Sequence, residues 1–287
     1  MATLAEHRFK IKYTGGLADE NVLPGYDGAT SIDGITRALH IATHAYMTGE
    51  VTSRATALKG ATIHMKPARQ GSFIFELIVL MEAYPATSTA AVALGAPMFY
   101  DFIKTAFRRA TGSLDAEPET VSLAKIYDRI QPPPLKRPAD FDELSEILEG
   151  SLQSAHRPIG EVGDDDCVTG IQISTPRNQL VTFDTESKDW VNTREEALGL
   201  EVIRGNITRY NSLSRNARVF VDQFQRVIPI RPDSDFSIGD LQLLTWSLHG
   251  SNIGARNKLD MRVRRVSSAS GKVKRLLLAD CQRSPVN

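Results

Sequence analysis

Two carboxylates followed by a third carboxylate and an amine are the first residues here whose types could do chemistry. Asp164 and Asp166 lie in the run Asp164-Asp165-Asp166-Cys167, and Glu186 and Lys188 follow in Asp184-Thr185-Glu186-Ser187-Lys188. Carboxylates can hold a divalent cation while a nearby ammonium steadies the attacking water, as in metal-dependent nucleases. The spacing is loose, and an acidic turn with an exposed strand end explains the same letters. His40 and His44 stand four apart on a helical pattern, a spacing that can aim two imidazoles at one metal. Their run, His-Ile-Ala-Thr-His, lacks the Glu of a metalloprotease helix and a third ligand, so it reads as a solvated or partner-facing pair. No metal and no cofactor is assigned. The sequence contains no Gly-x-Ser-x-Gly elbow, phosphate-binding Walker loop or dinucleotide fingerprint.

The other chemical feature is a concentration of arginine towards the end. The 287 residues carry 34 Lys/Arg against 34 Asp/Glu, so no overall field draws in a polyanion. Residues 201 to 287 nevertheless hold 15 Lys/Arg against 7 Asp/Glu, a difference of +8 that the remaining residues cancel. Arg204, Arg209, Arg215, Arg218, Arg262, Arg264, Arg265, Lys272, Lys274 and Arg275 fall on strand-like segments or adjoining turns. Planar guanidinium groups hold phosphates with paired hydrogen bonds, and small barrels bind single strands across an open face. Stacking would need aromatics among them, and Tyr210, Phe220, Phe224 and Trp246 are available, several of them as core filling. The bland alternative is a strand face solubilised by charge, or one that meets an acidic protein.

These residues need elements to hold them. Phe9, Ile11 and Tyr13 alternate with Lys10 and Lys12, the period of a half-buried strand. Ile32, Ile35, Leu39, Ala42 and Tyr46 line one side of a helix that Thr30 or Ser31 starts and Gly49 stops. A hairpin is expected across residues 61 to 84, its second strand apolar on both faces and therefore central and covered on each side. After it, residues 83 to 100 are uncharged, but Thr, Ser, Gly and Pro dilute them too much for a membrane span. The helix that follows presents Phe99, Phe102, Ile103 and Phe107 as an apolar stripe, expected to be buried or to meet another subunit, with the subunit contact favoured.

Gln131 to Pro138 cannot continue a helix and reads as a spacer. Asp140 and Glu143 then cap a connecting helix with a stripe of Phe141, Leu144, Leu148 and Leu152. Beyond it come short strands bounded by Asn, Gly, Pro or Ser and interrupted by one helix near residues 237 to 250. The expectation is an α+β protein: residues 1–131 a mixed α/β-sheet domain with covering helices, 132–160 a Pro-rich linker and connecting helix, and 161–287 a small β-barrel or sandwich with one inserted helix. Cys167 and Cys281 form no disulfide framework or thiolate zinc pattern, and the N-terminal letters lack a secretory apolar core, so the cytoplasm is the expected location.

The runs at 12–16 (KYTGG), 26–46, 49–55 and 67–73, then 205–219 and 271–280, resemble a group of bacterial proteins of unknown function. The resemblance implies an α+β N-terminal domain with a small C-terminal β-barrel, and an association with bacterial defence systems; it implies no catalytic residues. Ala217 stands where the group suggests a turn glycine. Together these readings favour a non-catalytic binding or assembly protein, a subunit of a defence-type complex that contacts itself or another protein. Nucleic-acid binding through the basic barrel is the alternative, and a metal-dependent nuclease the second.

Overall fold

Alternation in the first strand puts Phe9, Ile11 and Tyr13 on one side, and all three are buried. The structure, a computed structural model, describes residues 4–53, 58, 60–69, 73–82, 95–121, 123–124, 139–160, 167–192, 195–196, 199–212, 214–233, 236–255 and 257–285. The expected Pro-rich spacer and the run of Asp164 and Asp166 lie outside the described residues. The chain divides into two units, 1–191 and 192–287.

In the first unit, β1 (Leu4–Thr14), β2 (Ala61–Arg69), β3 (Ile74–Glu82), β4 (Gly170–Ser174) and β5 (Gln179–Phe183) form a sheet in the order β2-β3-β1-β4-β5. Every pairing in it is antiparallel. The registers Ile11↔Phe75, Phe9↔Leu77, His7↔Val79 and Tyr13↔Ile171 gather one apolar face. Helices α1 (Gly25–Thr48), α2 (Gly95–Ala110) and α3 (Phe141–Ala155) share its core.

Two close approaches fix these helices. Ser31 sits inside α1, its Oγ accepting from the Tyr13 hydroxyl at 2.9 Å and donating to the Ala155 carbonyl at 2.5 Å. Gly34 lets α1 meet α3, since a Cβ there would come within 2.5 Å of the Ala155 backbone nitrogen. Asp140 caps α3 by accepting from the Asp142 and Glu143 amides at 2.8 and 3.3 Å, satisfying donors that a helix start leaves bare. Gly49 ends α1 in the left-handed region, its amide donating to the Ala45 carbonyl at 2.9 Å.

Three expectations change. Strands β4 and β5 hydrogen-bond into the first sheet, so the seam falls at residue 191 and not at 160. Helix α3 packs within that unit's core and is no connector. Strand β3 is interior, as its apolar run requires, but the described helices cover one face only. On the other face Ile78 stands outside the main core, beside exposed Arg8 and Lys10.

The second unit holds β6 (Glu195–Glu196), β7 (Glu201–Tyr210), β8 (Ala217–Val221), β9 (Arg226–Pro232), α5 (Ile238–Asn252), β10 (Leu259–Ser267) and β11 (Val273–Arg283), preceded in the chain by α4 (Thr185–Asn192). The strand order β11-β9-β8-β7-β10 closes on itself through β10–β11, with β9 and β11 parallel. Inward Ile203, Ile207, Val219, Val221, Ile228, Ile230, Met261, Val263, Leu276 and Leu278 fill the interior. Helix α5 connects β9 to β10, and two of its serines meet Ile207 in β7. Ser247 Oγ accepts from the Ile207 amide at 3.1 Å and Ser251 Oγ donates to its carbonyl at 2.8 Å. The result is a closed five-stranded barrel with a helix between its third and fourth strands.

Candidate nucleic-acid interface

Strands β8 and β9 read Ala-Arg-Val-Phe-Val and Arg-Val-Ile-Pro-Ile-Arg-Pro. Because Ala217, Val219, Val221, Ile228 and Ile230 face the interior, alternation turns Arg218, Phe220, Val227, Pro229 and Arg231 outward. The register pairs Arg218 with Pro229 and Phe220 with Val227. On the other side of β8, Arg218 stands directly across from Arg209 of β7. Neither β8 nor β9 contains an acidic residue.

This face has basic residues at both ends. The β7–β8 loop, residues 211–216, carries Arg215, which adopts a left-handed backbone with φ 58. Asn211 holds the loop by accepting from the Ser214 amide at 3.4 Å, while its own amide donates to the Asn216 carbonyl at 2.8 Å. Ala217 then begins β8 pointing inward, so the left-handed position falls at Arg215 and no glycine is needed at 217. At the opposite end, Arg226 donates to the Val273 carbonyl at 3.1 Å, beside the β10–β11 loop with exposed Lys272.

Other predicted binding residues are engaged elsewhere. Arg204 grips Asp260 with two hydrogen bonds, 2.8 and 3.2 Å, which hold the Asp260 carboxyl below its ordinary range, helped by Ser284. Arg265 binds Glu201 through both carboxylate oxygens and lies over the Phe224 ring at 4.7 Å. Arg264 pairs with Asp233. Lys274 and Arg218 are 3 % and 6 % exposed, so neither offers its charge directly to solvent. These five are corrected from free binding groups to barrel ion pairs or buried cations. Arg262 is exposed and Arg275 half-buried. Arg209, Arg215 and Arg262 make no ion pair among the described residues. Arg231 is a further exposed cation on β9, and the alternation of Arg-Val-Ile-Pro-Ile-Arg-Pro could have found it.

The other predicted sites fare differently. Phe99, Phe102, Ile103 and Phe107 are each 2 % exposed or less and lie in the first unit's core, where the apolar stripe is satisfied by its own sheet and by Phe141 and Phe183. They are corrected from a subunit interface to core. Glu186 and Lys188 lie two apart on α4: Glu186 is exposed, and Lys188 donates to the Ile159 carbonyl. Their expected partners Asp164 and Asp166 lie outside the described residues. His40 and His44 are half-buried, and among the described residues no cluster of three His, Cys, Asp or Glu could hold a metal.

A polar cluster that the sequence did not announce lies where α3 meets α4. His156 Nδ1 donates to the Leu152 carbonyl at 2.7 Å, which leaves Nε2 to accept from Ser187 Oγ at 2.9 Å. The Asp184 amide donates to Ser187 Oγ at 2.7 Å and the Ser187 amide to the Asp184 carboxylate at 2.9 Å, a reciprocal cap for α4. Burial pushes the His156 pKa down to about 4, against the opposing pull of the Leu152 carbonyl. Both His156 and Ser187 are buried, so this pair ties two helices together and meets no substrate.

The fold and this surface define an α+β protein whose second unit is a closed β-barrel with a basic, acid-free strand face. The chain belongs to the family described as a domain of unknown function (DUF7946), whose model matches residues 9–192, all of the first sheet and its helices but the first five residues of β1. No curated protein and no solved structure matches the chain.

Proposed function

We propose that the protein is a non-catalytic nucleic-acid-binding protein that holds a single strand across β8 and β9 of its barrel. One observation carries the reading: these strands turn Phe220 and exposed Arg231 outward, with Arg218 buried beside them and no carboxylate among them, on the two strands that barrels of this architecture use for ligands. Arg209 opposite Arg218 supports it. Like charges across a strand pair destabilise the sheet unless an anion offsets them. Half-buried Phe220 supplies a ring for base stacking, and the flanking loops supply Arg215 and Lys272.

An assembly role through the aromatic stripe has lost its surface, because that stripe is buried within the chain. A bacterial, cytoplasmic setting and membership of a defence complex are what the resemblance noted above implies, and the two free cysteines fit a reducing compartment. The test is fluorescence anisotropy of a labelled single-stranded oligonucleotide against the full chain, with Arg209→Glu and Arg231→Glu as variants. Both should weaken binding, and affinity should fall with salt at a slope of about 0.7 per phosphate contacted. Binding that ignores both substitutions would overturn the proposal.

A further inference from the structure

The first unit carries a second basic surface on the sheet face that the described helices leave uncovered. Successive outward positions of the central strand β1 are Arg8, Lys10 and Lys12, about 7 Å apart at the rise of a strand. Across β3, Lys66 of β2 stands in register with Glu76, and Glu76 in turn with Lys10. The side chains of Lys10, Lys12 and Lys66 make no ion pair or hydrogen bond among the described residues. Glu76 makes none with either lysine, and its Oε2 is buried without a partner. Arg8 pairs with Glu6 at 2.5 Å. On the β4 and β5 side the same face offers Gln172, Ser174 and Thr182.

This surface runs against the charge of its own unit. Lys and Arg total 16 in residues 192–287 against 9 Asp and Glu, so the first 191 residues carry a net −7. Cations gathered on one sheet face of an acidic unit are segregated, and segregation of this kind attracts an anionic partner locally. The face lacks what a protein partner needs. Its strands turn one ring outward, the imidazole of His64 on β2, and its aliphatic members Ile74, Ile78 and Leu80 are already buried or half-buried, so no large apolar anchor remains for a desolvated protein contact. Lysines among hydroxyl and amide side chains are the composition that contacts phosphate and sugar. Without Phe, Tyr or Trp to stack bases, such a face follows the backbone and not the bases.

We infer that the β1–β3 sheet face is a second nucleic-acid surface, one that tracks the phosphate backbone of a duplex without reading sequence. It does not depend on the barrel reading. The test measures the full chain against a labelled duplex and a labelled single strand over a range of salt, comparing Lys10→Glu/Lys12→Glu/Lys66→Glu with the triple Arg variant at the same positions. Matched far-UV circular dichroism and melting establish that both variants fold. The Glu variant should lose roughly tenfold or more in duplex affinity and flatten the salt slope by about 2 to 3, while the Arg variant keeps both. Duplex affinity and slope unchanged in the Glu variant overturn the inference and leave the barrel proposal standing. Loss of single-strand binding on Arg209→Glu alone supports the barrel and leaves this result independent. A full chain that binds neither nucleic acid at low salt overturns both.

Discussion

Arg209 and Arg218 face each other across the β7–β8 pair, two guanidinium groups where a sheet ordinarily places a matched pair. Arg218 is buried and Arg209 half-buried. Like charges directly opposite on a sheet cost stability, and a nearby anion offsets that cost.

Arg209→Thr should therefore act in opposite directions on stability and binding. Relief of the like-charge pair should raise barrel stability by about 0.2 to 1 kcal/mol, measured by denaturant unfolding. Anisotropy with an oligonucleotide should show weaker binding by the same variant. A variant that is both less stable and equally tight would contradict this reading of the pair.

The buried cation of the first unit has a different role. Arg109, 1 % exposed, donates to the Ala116 carbonyl at 2.6 Å, to Asp142 at 3.2 Å and to Glu117 at 2.5 Å, and lies over the Phe141 ring at 5.1 Å. Arg109→Ala leaves the 11 % exposed Asp142 carboxylate without this partner, and should cost about 3 kcal/mol. Arg109→Lys should recover less than half of that, because one ammonium cannot reach all three acceptors with a planar fork. Urea titration of the two variants decides the point.

Close helix contact makes Gly34 intolerant of a side chain. A methyl at this position would meet the backbone of α3 at Ala155 and Ser151, neither of which can swing aside. Gly34→Ala should destabilise the first unit by about 1 to 3 kcal/mol even though alanine is the better helix former. A melting temperature equal to or above that of the parent would show that α1 and α3 do not pack as described.

Acid should loosen the junction of α3 and α4. His156 is neutral in the folded chain, with its pKa held down to about 4, while the unfolded chain regains the ordinary value of 6.5. The unfolded state then binds the extra proton as pH falls from 6.5 towards 4. Stability is complete above that window and declines through it, by on the order of 3 kcal/mol at the lower end. His156→Asn should be less stable at pH 7 and should flatten the decline between pH 6.5 and 4 in a series of unfolding curves.

Much of the architecture was readable from local pattern. The helix with Ile35 and Leu39 on one side, the Gly49 stop, the hairpin around β2 and β3, and the Asp140 cap all depend on neighbours within a few residues. Partner choice is not local, and there the reading failed. Nothing in the alternation of Gly170–Ser174 says that it joins β1, more than 150 residues earlier, and not the strands that follow it. The same limit applies to the aromatic stripe of α2. Periodicity shows that Phe99 to Phe107 must be covered, but not whether this chain or another covers them. In the barrel, the count of arginines was legible, while their pairing with Glu201, Asp233 and Asp260 required the closed sheet to bring distant strands together.

Binding of a labelled single strand by paired charge-removal variants of the full chain tests the central claim most directly. Removing Arg209 and Arg231 together should weaken binding by roughly tenfold or more and reduce its salt slope, while removing ion-paired Arg264 and Arg265 should change both much less. Equal loss from the two pairs, or no single-strand binding by the parent protein at low salt, would contradict a ligand face on β8 and β9.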